Sequence, residues 1–229
     1  MHIGGESFTD RILPHMKQII VGIILLAVVL SAYFTVRWFR QRTDYTNTEK
    51  LDKVFEVAQR PVRGKDDKAD PNQPSFASTK ERGAAVLDTI LKQGAEVPGS
   101  AFRAGQLLDA GKVDEAIAEY KKGATGKTIE NLLCREGLGI ALEAKAAEDK
   151  DPTARQRSLE EALAAFTAMQ PDEAGPRRAY ALYHQARVQE QLGKRTEAKA
   201  LFEQAKTANK DADHEIADLI EKRLAGLGA

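Results

Sequence analysis

Residues able to do chemistry are few in this chain, and their spacing argues against a catalytic centre. Gly123–Thr128 reads GATGKT, like the end of a loop whose backbone amides cradle phosphate. That motif needs a glycine five residues before the Gly-Lys pair and a strand ahead of it. The chain has Lys121 there, at the end of helical sequence, so a helix-ending turn is the better reading. His214-Glu215 begins like a zinc-peptidase motif, but no second histidine follows at the zinc spacing. His2, His15 and His184 are scattered, and His184 is expected at the surface or groove of a helix. Cys134 is the one cysteine, which rules out an intramolecular disulfide or a thiolate metal cluster. On an apolar helix it reads as a small core residue. No carboxylate pair, triad or metal cluster emerges, so the expectation is a non-enzyme without cofactor, metal or small-molecule substrate.

What remains is protein recognition. Tyr180, Tyr183, Arg187 and Glu190 share one helix face, and Glu136 and Glu143 share another. Tyrosine and arginine are common interface anchors. The competing reading is an ordinary solvated face, since interface composition alone discriminates weakly.

The elements that hold these residues start with a hydrophobic span. Residues 18–36 contain no charge and run QIIVGIILLAVVLSAYFTV. As a helix this segment is roughly 28 Å long, close to the ~30 Å hydrocarbon core of a bilayer. Its twelve strongly apolar residues favour insertion by about 4 to 7 kcal/mol. Tyr33, Phe34, Trp38 and Phe39 gather at one end, where rings favour the headgroup layer. A cleaved signal peptide would be shorter and followed by small residues, whereas Arg37, Arg40 and Arg42 come next. The expected layout is a tail over 1–17, a transmembrane helix over 18–38, a post-membrane helix over 43–60 and a solvated loop over 61–77. Residues 78–229 then form an all-α domain. The 34 basic and 34 acidic residues cancel, so net charge does not suggest nucleic acid.

Residues 61–77 are broken by Pro61, Pro71 and Pro74. Ser78 with Glu81 makes a capping-box pattern for the next helix. Beyond Pro98 the pattern is helix, turn, helix. Two segments align: Val97–Gly123 and Ala179–Ala205. A small residue in the first helix (Ala104, Ala186) is answered by a small–aromatic–small series in the second. That series is Ala116, Tyr120 and Gly123 in one segment, and Ala198, Phe202 and Ala205 in the other. Gly111 and Gly193 suit left-handed C-caps between the helices. A middle unit offers Gly139, Ala162, Phe166 and Met169. Its turn is expected to be enlarged around Asp151-Pro152, with Ser158 and Glu161 as the capping box of the second helix. Residues 213–227 read as a final capping helix, and residues 45–60 and 78–93 as a degenerate leading pair.

This register resembles the tetratricopeptide repeat, a helical hairpin of about 34 residues that stacks into a solenoid. Such arrays present a groove and seldom carry catalysis. The layout of one span, an R-x-W-type exit (here Arg37-Trp38), a helix, a loop and about three divergent repeats resembles the YfgM-like ancillary subunits of the bacterial Sec translocon. The stretches that carry the likeness are SAFRAGQLLDAGKVDEAIAEYKKG and YALYHQARVQEQLGKRTEAKALFEQA. The resemblance implies a single-pass inner-membrane protein with a periplasmic C-terminal domain. Its implied partners are the SecYEG translocon, a PpiD-type periplasmic chaperone and exported clients. Arg37, Arg40, Arg42 and Lys50, against Arg11 and Lys17 before the span, lean the other way by the positive-inside rule. The alternative is therefore a repeat adaptor in another membrane assembly, for secretion or cofactor maturation, facing the cytoplasm.

Overall fold

The computed structural model of the chain describes residues 16–64, 67, 68, 70, 73–94, 99–210 and 213–228. Most of the tail, with His2 and His15, lies outside them, as do Val97 and Pro98 at the start of the first aligned segment. Among the described residues the fold is all-helical, with one isolated parallel bridge between Val62 and Phe76. The helices are α1 (Met16–Ala58), α2 (Thr79–Gln93), α3 (Ser100–Asp109), α4 (Val113–Gly123), α5 (Ile129–Glu148), α6 (Pro152–Met169), α7 (Arg178–Gln191), α8 (Arg195–Asn209) and α9 (His214–Leu227). They fall into two units, Met1–Lys50 and Leu51–Ala229.

The first unit holds most of α1, a helix long and apolar enough to cross a membrane. Its side chains stand exposed, from Leu30 at 45% to Val29 at 64%, an arrangement that costs little only in an apolar solvent. Thr35 donates its hydroxyl to the Ser31 carbonyl at 2.7 Å, so its polar group is satisfied within the helix. The sequence suggests separate elements over 18–38 and 43–60. In the structure α1 runs through both without a break, because no proline or glycine interrupts residues 37–58.

The second unit is built from helices packed in consecutive pairs: α3 with α4, α5 with α6, α7 with α8, and α9 closing on α8. Ahead of them the end of α1 packs Val54 against Val86 and Ile90 of α2. Ser78 caps α2 by accepting the Glu81 amide at 3.1 Å, and the Glu81 carboxylate reaches back to the Ala77 amide. The 61–77 segment is tied at its ends: Phe76 donates to the Pro61 carbonyl and Arg63 to that of Phe76.

Two of the turns are the same structure used twice. Gly111 has φ +78° and Gly193 has φ +77°. Gly111 N–H bonds the Leu108 carbonyl and Lys112 N–H that of Leu107. Gly193 and Lys194 repeat the pattern onto Glu190 and Gln189, which is a Schellman closure at both sites. Each turn feeds the next helix so that the small–aromatic series faces inward. Ala116, Ala162 and Ala198 are fully buried, Tyr120 nearly so, and Phe166 and Phe202 completely. The Phe166 ring lies on Gly139, and the Tyr120 ring on Gly137, where a Cβ has no room.

The middle hairpin departs from expectation. Its turn is short, α5 ending at Glu148 and α6 starting at Pro152. Asp151 caps α6 through the Thr153 amide at 3.1 Å, and Pro152 occupies the first helical position, where its missing N–H costs nothing. Ser158 is buried inside α6 rather than capping it. The extra residues lengthen both helices, to 20 and 18 residues, instead of enlarging the loop.

Candidate functional site

Of the six residues picked out for recognition, Glu136, Glu143 and Arg187 meet in a seam between α5 and α7, while Tyr180, Tyr183 and Glu190 are engaged with α8 and α9. On α5, residues 129, 133, 136, 140 and 143 fall within one narrow face at 100° per residue. On the facing side, Arg177, Tyr180, His184, Arg187 and Gln191 recur at alternating spacings of three and four along α7 and its N-cap. Opposite charges at matching heights then close the seam. Arg177 donates twice to Glu136, at 2.6 Å each. His184 Nε2 lies 3.3 Å from Glu136 Oε1. Since a carboxylate only accepts, that nitrogen carries the proton, leaving buried Nδ1 without a partner. About two helical turns further along, Glu143 takes Arg187 Nε at 3.1 Å and a second, shorter bond from Arg187 Nη2. Gln191 adds a third bond to Glu143 at 2.6 Å.

Aromatic rings carry the polar atoms. The Arg177 guanidinium covers Tyr180 at 4.6 Å, and Arg187 covers Tyr183 at 5.9 Å. His184 stacks on Phe166, 4.6 Å between centroids at 14°. It is 7% exposed, so the surface or groove position expected for it is corrected to a buried one, held by that stack. Tyr183 is likewise buried and tilts against Phe202 at 5.7 Å. Tyr180 donates to Asp213 at 2.7 Å, and Asp213 caps α9 through the Glu215 and Ile216 amides. Glu190 pairs with Arg223 of α9 at 3.4 Å.

These contacts set the ionisation of the seam. Burial works against the Glu136 charge, but the bonds from His184 and Arg177 outweigh it and hold the carboxyl below its ordinary value. The bond to Asp213, with burial, pushes the Tyr180 hydroxyl up to about 12. That same bond and the Ile216 amide lower Asp213. Cys134, fully buried against α4, has its thiol pushed up to about 11 by burial.

Sequence reasoning missed Arg177 and Gln191, which complete the seam, and Arg223 and Asp213, which tie α7 to α9. The signal was present in the three–four spacing of hydrogen-bond donors from Arg177 to Gln191, mirrored by Glu136 and Glu143. It also missed that Ile129, Leu133 and Ile140, on the same α5 face, are exposed at 63%, 39% and 37%. Gly123–Thr128 forms the connection from α4 to α5, where Thr128 and Asn131 make a reciprocal cap. Among the described residues no group of three or more His, Cys, Asp or Glu is placed to hold a metal. The face as built can fix one helix pair to the next and offer an apolar strip beside neutralised charges. Comparison of the chain with protein-family models, curated proteins and solved structures gives no match.

Proposed function

We propose that this protein is a membrane-anchored tetratricopeptide-type scaffold that binds other proteins and carries no catalytic site. The observation that carries the reading is the repeated hairpin: Schellman turns at Gly111 and Gly193, each followed by an inward small–aromatic–small series. An apolar helix long enough to span a bilayer precedes it. The α5 face adds support, because Ile140 lies exposed between the Glu136 and Glu143 ion pairs and Leu133 lies exposed one turn before Glu136. Exposed apolar groups rimmed by satisfied polar ones are the usual composition of a protein-binding patch.

The more specific reading is an ancillary factor of the bacterial Sec translocon, linking SecYEG to a PpiD-type chaperone and exported clients, with the repeats in the periplasm. Anchoring beside the channel raises effective concentration, so weak individual contacts suffice. Affinity purification of the full chain in mild detergent should recover Sec components or a periplasmic chaperone; recovery of neither rejects this assignment. A second reading, an adaptor facing the cytoplasm, is favoured by Arg37, Arg40 and Arg42 on the C-terminal side of the span. A reporter fused after Ala229, active on only one side of the membrane, decides between them.

A further inference from the structure

We infer that the exit of the apolar span is a binding collar for anionic phospholipid, with Arg37 and Arg40 gripping one lipid phosphate. The inference rests on the reading of α1 as a membrane anchor. Between Lys17 and Arg37 the helix rises about 30 Å, the hydrocarbon thickness, so Arg37 stands at the apolar boundary. Arg40 and Arg42 lie about 4.5 and 7.5 Å further out along the axis, at the depth of the headgroup phosphates. Arg37 and Arg40 are three residues apart and so share one side of the helix. Together with Tyr33, Val36 and Gln41 they line a shallow recess of roughly 390 Å³, apolar on its membrane side and cationic on its outer side. That polarity matches a phospholipid, with acyl chain along Tyr33 and Val36 and phosphate between the guanidiniums.

One further observation favours an anionic lipid over a zwitterionic one, and two others bear on the phosphate grip and on its depth. Residues 16–43 contain four cations and no carboxylate, and the next acidic residue, Asp44, lies a turn beyond Arg40. Both guanidiniums are exposed, and guanidinium forks bind phosphate oxygens in pairs. On the other side of the helix Arg42 sits 4.9 Å from the Trp38 ring centroid. This cation–π contact holds the indole at interface depth and fixes how far the helix slides through the bilayer. The collar thus sets both depth and lipid preference.

The test uses the full chain in mild detergent, titrated with phosphatidylglycerol or with phosphatidylcholine of the same acyl chains, and native mass spectrometry to count bound lipid. Phosphatidylglycerol adducts should dominate. The Arg37→Gln/Arg40→Gln variant should lower them on the order of twentyfold, at about fivefold per guanidinium, and should lower phosphatidylcholine adducts, whose phosphate charge is offset by choline, by much less. Arg42→Gln should lose less. Glutamine keeps helix propensity close to that of arginine, and unchanged circular dichroism confirms the fold. Equal adducts of the two lipids, or an unaffected double variant, overturns the collar. Carbonate extraction of the native membranes separates the two levels of inference. Protein retained in the pellet without a phosphatidylglycerol preference sinks the collar alone, and protein released into the supernatant sinks the anchor and the collar with it.

Discussion

Replacing Glu136 by glutamine removes the charge at the centre of the α5–α7 seam while keeping its shape, and should destabilise the repeat unit at neutral pH. The carboxylate is 13% exposed and its Arg177 partner 28%. Two bonds come from Arg177 and one from His184. Breaking a fully buried pair typically costs about 3–5 kcal/mol, and partial solvent access at Arg177 brings this down to about 1.5–3 kcal/mol. For a unit of this size that corresponds to a Tm lowered by about 4–10 °C. The pH dependence carries a definite sign. Glu136 has a folded pKa below its ordinary value, so its contribution is complete above the unfolded value and lost as pH falls through the folded one. The gap between native and Glu136→Gln proteins should therefore be full above about pH 4.5 and close below it. Thermal melts of the full chain in detergent, followed by circular dichroism, measure this. A double-mutant cycle with Arg177→Met should return a coupling above about 1 kcal/mol. A loss under about 0.5 kcal/mol at pH 7, or a gap that widens in acid, would refute the seam as an energetic element.

Other expectations follow from single residues. Gly193→Ala should cost about 1–2 kcal/mol purely through its positive φ, since a Cβ there meets nothing within 4 Å. Gly226→Ala, also in open space but at ordinary helical φ, should instead stabilise by up to about 1 kcal/mol, and equal effects in denaturation midpoints would contradict both. Cys134, buried with its thiol near 11, should react with maleimide at pH 7.5 only once denaturant opens the fold, so fast labelling of the native protein argues against the packing described. Leu25→Arg places a charge at the middle of the apolar span, at about 2.5–3.5 kcal/mol; a reduced fraction in the carbonate pellet is expected, and no change would speak against a spanning α1.

Local chemistry was legible in the sequence wherever one short stretch determined the outcome. Gly111 and Gly193 announce left-handed turns because no other residue fits them cheaply, and Ser78 with Glu81 announces a helix start. The middle hairpin misled because two valid signals competed. Ser158-x-x-Glu161 has the form of a cap, yet Asp151-Pro152 supplies both an N-cap oxygen and a preset φ. Starting the helix there also lets an alanine-rich face bury Leu159 and Ala162. The seam was half legible: helical spacing placed Glu136 and Glu143 on one face, but their partners lie 41 and 44 residues away. Only the stacking of hairpins decides which cation meets which carboxylate.

That pairing changes what the face can recognise. Had Glu136, Glu143, Arg187 and Glu190 been free, a partner would be selected by charge, with affinity falling steeply in salt. Each is instead bound to a neighbour within the fold, and separating such pairs to form new ones gains little net energy. The groups on the same α5 face with contacts still to make are Ile129, Leu133 and Ile140. Burying them releases roughly 25 cal/mol per Å² of apolar surface, and this does not depend on ionic strength. Partner binding at this face should therefore survive high salt and fail on Leu133→Asp or Ile140→Asp. Capture that disappears in high salt but tolerates those substitutions would place recognition on a different surface.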